Sequence, residues 1–264
     1  MLLSNLCDYA VGREPNITEL PQLPKEFLKS MIEIQDHIPE PSRLSEDSEY
    51  VHVSSLLDLC PRQYWIACKH KVRLQSSPYS ADRIVWEIGK ALERHVVKNL
   101  KNYHGDKFVR SNENILNYEY GISGSPDVEI DIDNNMVVIG EVKTMNKRDF
   151  DKLKKPITEH ILQVAMYRWL YNKHNIEYNF NMRAHDAVVL LYICKDYARE
   201  SPYKEFHVDV NTPIIQSGVD RALELAWELK EARELDSIPE RWVCDRQDCT
   251  RSKNCPVSYL CWSL

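Results

Sequence analysis

Glycine is scarce in this chain, 7 residues in 264 beside 13 prolines. That excludes collagen-like and glycine-rich low-complexity architectures. No run of about 18 apolar residues occurs, so no segment reads as a membrane-spanning helix. Met1-Leu2-Leu3 is too short for the apolar stretch of a secretory signal, and Asp8, Arg13 and Glu14 follow at once. A soluble, cytoplasmic protein with no membrane attachment is the expectation. A basic surplus is also missing: 40 acidic residues face 34 Lys and Arg, for a net charge of −6. Non-specific duplex binders usually carry the opposite balance, so any nucleic-acid contact has to come from local patches. The phosphate-cradling GxxxxGK[ST] loop is absent, which excludes an ATP-driven helicase; unwinding would fall to a partner.

What is present can build a core: 43% of residues are hydrophobic. Residues 1–50 stand apart. Pro15, Pro21, Pro24, Pro39 and Pro41 punctuate them, and they read as an irregular arm with one short helix near Lys25–Gln35. Residues 51–264 read as the main domain, with 236–264 as a cysteine-rich segment. Ser54 or Ser55 can cap a helix carrying Leu56, Leu57, Leu59 and Cys60. Ile84, Val85, Ile88, Leu92, His95, Val96 and Leu100 recur at helical spacing over about 80–103. Val128, Ile130 and Ile132 then alternate with Glu129, Asp131 and Asp133. Asn134-Asn135 supplies a turn, and MVVIGEVKTM returns as the partner strand. A helix over 157–174, strands at 187–194 and 205–210, and a helix from Pro213 to Leu235 complete the pattern. The order predicts an α/β core with a mixed sheet flanked by helices.

The chemistry sits on the hairpin. Glu141 and Lys143 are two apart on one strand, so both side chains leave the same face. Asp127 precedes the partner strand, separated from Glu141 by thirteen residues. Carboxylates suit hard cations such as Mg²⁺ or Mn²⁺. Phosphodiester hydrolysis needs such a cation, an oriented water and a positive charge. Asp131 and Asp133 can also reach a cation, though their place near the turn favours solvation. Singly, each feature is an ordinary surface pair; together they are specific.

The arrangement SPD…GEVK resembles the PD-(D/E)xK nuclease superfamily, which implies a restriction-endonuclease-like fold. Its surroundings resemble the RecB-like branch. EIGKALERH, with Gly89 and His95, is similar to that branch's histidine helix. QVAMY, with Gln163 and Tyr167, is similar to its Q-x-x-x-Y motif. The resemblance spans about Val53 to Cys255. It implies that His95, Asp127 and Glu141 bind Mg²⁺ or Mn²⁺. It further implies that Lys143 acts on the attacking water, and that Gln163 and Tyr167 contact substrate or brace the site. A lone histidine on an apolar helical face is otherwise a packed core residue.

The chain has eight cysteines, of which Cys244, Cys249, Cys255 and Cys261 fall within the last 21 residues. Short-spaced thiolates gather zinc or an iron–sulfur cluster. The resemblance extends to iron–sulfur nucleases of the branch, among them CRISPR-associated RecB-like exonucleases and AddB-type nucleases. These imply one distant upstream cysteine, here Cys60, joined to three downstream. Cys60, Cys244, Cys249 and Cys255 are then the expected [4Fe–4S] ligands, with Cys261 as a substitute and zinc as the alternative. Cys7, Cys68 and Cys194 read as structural.

Arg62, Lys69, Lys71 and Arg73 form one basic stretch, and Lys143 to Lys155 another. Tyr64, Trp65 and Tyr79 are candidates for stacking bases. The reading that follows is a metal-dependent DNA exonuclease working on single-stranded ends. Recombination, replication or CRISPR adaptation are its settings, with a helicase, recombinase or CRISPR integrase as partner. Two alternatives stay open: a catalytically idle iron–sulfur or zinc DNA-binding subunit, and a structure-specific endonuclease.

Overall fold

The computed structural model describes residues 50–57, 60–72, 80–110, 114–133, 135–178, 182–196, 201–241 and 244–264. The helix expected near Lys25–Gln35, and Cys7, Arg73 and Tyr79, lie outside the described residues.

Strand β1 (Val51–His52) leads into a short helix α1 (Val53–Leu56). His52, not Ser54 or Ser55, caps α1: its Nδ1 accepts the Ser54 N–H at 3.2 Å. Cys60 instead precedes a second helix, α2 (Pro61–His70), as its N-cap. The one helix expected through Leu59 and Cys60 is therefore two. Proline disfavours helical backbone in the residue before it and suits the first helical position after it.

The long helix α3 (Ser80–His104) follows, then β2 (Phe108–Arg110), β3 (Ile115–Asn117), β4 (Ile122–Gly124) and β5 (Val128–Asp133). Next come β6 (Met136–Met145), α4 (Lys147–Lys152), α5 (Thr158–Glu177), β7 (Arg183–Ala184) and β8 (Ala187–Cys194). The chain continues through β9 (Tyr203–Asp209) and α6 (Pro213–Glu234) to two short helices, α7 (Thr250–Lys253) and α8 (Ser258–Ser263).

The predicted hairpin is β5–β6, antiparallel, with Val128 opposite Gly140 and Asn135 in the left-handed region at φ 60°. Strand β6 then pairs in parallel with β8, from Gly140↔Val189 to Met145↔Cys194. A parallel pair needs a crossover, and α4 with α5 supplies it. Strand β9 adds antiparallel to β8, and β2 antiparallel to β5. The resulting six-stranded mixed sheet runs β2-β5-β6-β8-β9, with β7 attached to β6; a small second sheet runs β1-β4-β3. The chain is thus a mixed α/β protein whose mixed sheet is flanked by helices.

Alternation along β6 and β8 sends side chains to two unequal layers. Val137, Ile139, Val188, Leu190 and Tyr192 join the main core, with Val164 and Leu170 of α5 and Leu223 and Leu229 of α6. The opposite face sends Val128, Val142 and Ile193 to a smaller cluster with Val96 and Val97 of α3. The stripe that α3 turns inward includes Gly89, Glu93, Val96 and Val97, whereas Val85, Ile88 and His95 are exposed. The apolar pattern alone points one position off, because two inward positions are occupied by a glycine and a glutamate.

A third cluster joins α2 to the end of α6 and the C-terminal segment through Trp65, Ile66, Ala67, Ala232 and Val257. Trp65 Nε1 donates to the Ala232 carbonyl at 3.1 Å, and Arg62 Nη1 to that of Pro239 at 3.0 Å. Tyr64, Trp65 and Arg62 are therefore buried parts of the fold, not a base-stacking or phosphate-facing surface. Among the described residues, no helix is long and apolar enough to cross a membrane.

Leu190 is fully enclosed in the main core. Leu190→Ala should lower the unfolding free energy by about 2–5 kcal/mol, read from the midpoint of urea denaturation.

Candidate active site

Strand β5 begins only at Val128, so the edge of β6 beyond Gly140 has no ladder partner on that side. Asp127 fills the gap: its Oδ2 accepts the Val142 N–H at 2.8 Å. The register that sets Val128 opposite Gly140 brings Asp127 beside Glu141. Both carboxylates are buried, at 5% exposure each.

Helix α5 runs above them. Gln163 donates through Nε2 to Glu141 Oε1 at 3.0 Å and to the Tyr167 hydroxyl at 2.8 Å. Lys143 Nζ donates to Glu141 Oε1 and to Gln163 Oε1, both at 2.8 Å. Four of the expected residues, Glu141, Lys143, Gln163 and Tyr167, thus form one hydrogen-bonded set. Residues four apart on a helix share a face, so Gln163 and Tyr167 act together. Among the described residues, Glu141 Oε2 is buried with no hydrogen-bond partner. An orphaned carboxylate oxygen is costly to bury, and a cation is one partner that would satisfy it.

Helix α3 closes the other wall. Gly89 sits against the sheet: a Cβ there would lie 2.8 Å from Thr144 Oγ1. One turn on, Glu93 reaches the cavity, buried at 9% exposure, with Lys90 paired to it at 2.9 Å. His95 does not join the site. It is exposed, and its Nε2 bonds the Asn99 amide at 3.1 Å. Two residues turn a helix by about 200°, so His95 and Glu93 cannot share a wall. The residue four after Gly89 is the one facing inward, and that spacing was the signal available in the sequence.

These groups line a cavity of about 480 Å³, which His52, Trp86 and Lys195 also border. Burial, and then the charges of Glu141 and Glu93, push the Asp127 carboxyl well above its ordinary range. Three acids, Glu93, Asp127 and Glu141, line the cavity, and oxygen donors of this kind fit a divalent cation. As they stand, no three His, Cys, Asp or Glu side chains converge to metal-holding distance among the described residues. Lys90 draws Glu93 one way and Lys143 draws Glu141 another. Asp131 lies in mid-β5 on the sheet, away from the cavity lining.

Behind Lys143 stands His160, a residue the sequence reading missed. Its Nδ1 meets the Tyr192 hydroxyl at 2.9 Å, and that hydroxyl also accepts the Ile157 N–H at 3.0 Å. Burial and then the Lys143 charge push its pKa down to about 4.

A second cavity, about 200 Å³, lies between α2 and the C-terminal segment. Cys60, Cys244, Cys255 and Cys261 line it, with Arg62, Arg241 and Arg251. Cys249 lies beside Cys244, and burial together with that thiol pushes Cys244 up to about 11. The same causes, burial first and then Cys60 and Cys261, raise Cys255. The structure thus gathers all five named cysteines, whose sulfur chemistry fits a soft metal. Cys68 turns instead to Tyr64, and Cys194 is buried in the main core.

Within the basic stretch after Lys143, Lys147–Lys152 is helical, with Lys147 paired to Asp151 and Arg148 to Asp149. Lys69 likewise pairs with Asp236.

The chain matches no protein-family model and no curated protein. Solved structures that resemble it include a protein named SSO0001, 22% identical, with 90% of this chain and 95% of that chain covered and a TM-score of 0.45. An alkaline exonuclease (LHK-Exo) from Laribacter hongkongensis is 17% identical over 72% of this chain and 94% of its own, with a TM-score of 0.45. The LHK-Exo complex with dAMP gives 13% identity, the same coverage and a TM-score of 0.46. Likeness of this degree carries no argument about the chemistry of this chain.

Two measurements check the electrostatics. Because the folded Asp127 pKa is raised, its contribution favours the fold at low pH and is lost as pH rises through that value. In EDTA at neutral pH, Asp127→Asn should therefore raise the melting temperature. Manganese should raise that of the wild type and leave the variant's unchanged. For His160 the sign is opposite: a depressed folded pKa means that stability falls as pH drops from 6.5 through about 4. Urea midpoints compared between about pH 7 and about pH 5 should fall less in His160→Gln than in the wild type.

Proposed function

We propose that this chain is a Mg²⁺- or Mn²⁺-dependent DNA nuclease of restriction-endonuclease-like, RecB-like type, working as an exonuclease on single-stranded ends. The observation that carries the reading is Glu141, a buried carboxylate whose Oε2 is orphaned while its Oε1 holds Lys143. A binding module has no use for a lysine tethered between a glutamate and a glutamine beside two further acids.

Asp127, Glu141 and Glu93 would hold the cation, with Glu93 in the place first given to His95. Bound there, it would neutralise charge on the scissile phosphate and acidify a water. Lys143 supplies a fixed positive charge where negative charge builds on the phosphate oxygens, and its remaining donor orients the water. Gln163 fixes Lys143, and Tyr167 fixes Gln163, so the lysine head enters the reaction already placed. The attacking water gives up a proton to solvent as its oxygen bonds to phosphorus and the P–O3′ bond breaks. The product carries a 5′-phosphate, and the 3′ oxygen takes a proton from solvent.

The proposal extends to Cys60, Cys244, Cys249 and Cys255 as ligands of a [4Fe–4S] cluster, with Cys261 as substitute and zinc as the alternative. Hydrolysis moves no electron, so the cluster's part is structural: it ties α2 to the C-terminal segment. Arginines 62, 241 and 251 around the cavity suit the negative charge of a thiolate-ligated cluster. A helicase, recombinase or CRISPR integrase would supply the single-stranded end.

Cleavage of a labelled single strand should vanish in EDTA and return with Mn²⁺. Lys143→Ala should lose about 10²–10³-fold in rate. Glu93→Gln should lose activity comparably, and His95→Ala should keep it. Activity in EDTA, or full activity of Lys143→Ala, would overturn the mechanism. A closed single-stranded circle should survive; its degradation would mean an endonuclease. Anaerobically purified protein should be brown, with iron and sulfide; colourless protein with stoichiometric zinc would replace the cluster by zinc.

A further inference from the structure

Three large apolar side chains stand exposed in the first turns of α3: Val85 at 51%, Trp86 at 38% and Ile88 at 46%. An amphipathic helix ordinarily turns such residues inward. Here the inward stripe continues through Gly89 and Glu93, and Trp86, seven residues before Glu93, stands two turns away on that same side. Trp86 and Val85 border the catalytic cavity and are open to solvent at its rim. The close approach at Gly89 sets this rim against β6.

A cation stands beside it. Lys195 leaves the end of β8, lines the cavity, and donates through Nζ to the Val85 carbonyl at 3.2 Å. It has no ion pair among the described residues, whereas Lys90 is taken by Glu93 and Lys143 by Glu141. Of the three cavity lysines, Lys195 is the one with no carboxylate paired to it among the described residues. Burial alone lowers its pKa.

We propose that Trp86 and Lys195 form a nucleotide subsite for an unpaired DNA strand, the base stacking on the indole and the neighbouring phosphate resting on the Lys195 ammonium. The inference rests on the nuclease reading above for the position of the scissile bond, and adds what selects the substrate. Stacking on an aromatic face is open to any base that is unpaired, and closed to a base held inside a duplex. The rim therefore favours single strands independently of the metal chemistry. Trp86 and Lys195 are specificity residues; neither belongs to the acid–lysine set.

The test is binding, measured in EDTA so that nothing is cleaved, by fluorescence anisotropy of a labelled single strand and of the matching duplex. Trp86→Ala should weaken single-strand binding about ten-fold and leave duplex binding within about two-fold. Trp86→Phe should restore most of the loss, which a merely structural role would not require. Lys195→Gln should lower the salt dependence of single-strand binding by about one phosphate contact. Unchanged single-strand affinity in Trp86→Ala, or equal losses for strand and duplex, would overturn the subsite. Equal melting temperatures of wild type and Trp86→Ala keep misfolding from imitating either result. Trp86-dependent binding in a protein that cleaves no DNA would sink the nuclease reading and leave the subsite standing. Normal cleavage with unchanged Trp86→Ala binding would do the reverse.

Discussion

Three acids brought to one cavity at the end of a strand organise the rest of this molecule. Asp127, Glu141 and Glu93 converge from a strand start, a strand middle and a helix, and lysines meet only two of them. Burying an acid raises its cost, and burying neighbouring acids raises it again. Such an arrangement persists only where the surrounding fold holds it firmly, and the surroundings do so. Asp127 takes the place of a missing ladder acceptor, Gln163 ties Glu141 to Lys143, and Gly89 lets α3 come close enough for Glu93 to arrive. Each contact belongs both to the fold and to the site, so neither could be altered alone.

The two faces of the sheet divide the labour. On one, α5 and α6 cover a broad core that includes Leu190 and Tyr192. On the other, α3 alone covers a thin cluster centred on Val142. The cavity draws on both: Glu141 and Lys143 of β6 meet Gln163 of α5 on the broad side, while Val142 and Thr144 face Gly89 and Glu93 of α3 on the thin side.

Much of this was legible in the sequence. The β5–β6 hairpin, the partnership of Glu141 with Lys143, and the face shared by Gln163 and Tyr167 follow from periods of two and four. The strand over Ala187–Cys194 was visible as an apolar run bounded by polar residues. What was not legible shares one cause: the side-chain type misreported the environment. His95 sits among valines in sequence and faces water in space, while Glu93 is polar in sequence and buried in space. Tyr64 and Trp65 look like a stacking pair beside lysines, yet tertiary packing takes both. His160 carries no motif, and only the chain crossing that sets α5 over β8 brings it to Lys143. Strands of two or three residues such as β1, β4 and β7 are too short for any alternation to show.

The packing of α2 against the C-terminal segment has a bearing on how the chain comes to be folded. Trp65 waits for Ala232, and Arg62 for Pro239 and Cys261, partners 167, 177 and 199 residues away. Contacts of that separation form late, because closing so long a loop yields no reward until its ends meet. During synthesis α2 therefore leaves the ribosome long before its seat exists, with Ile66 and Trp65 uncovered in the interval. The hairpin, by contrast, pairs Asp133 with Met136 across a two-residue turn. The hairpin that carries Glu141 and Lys143 can assemble as it is made, while the wall around the cysteines is the last thing to close.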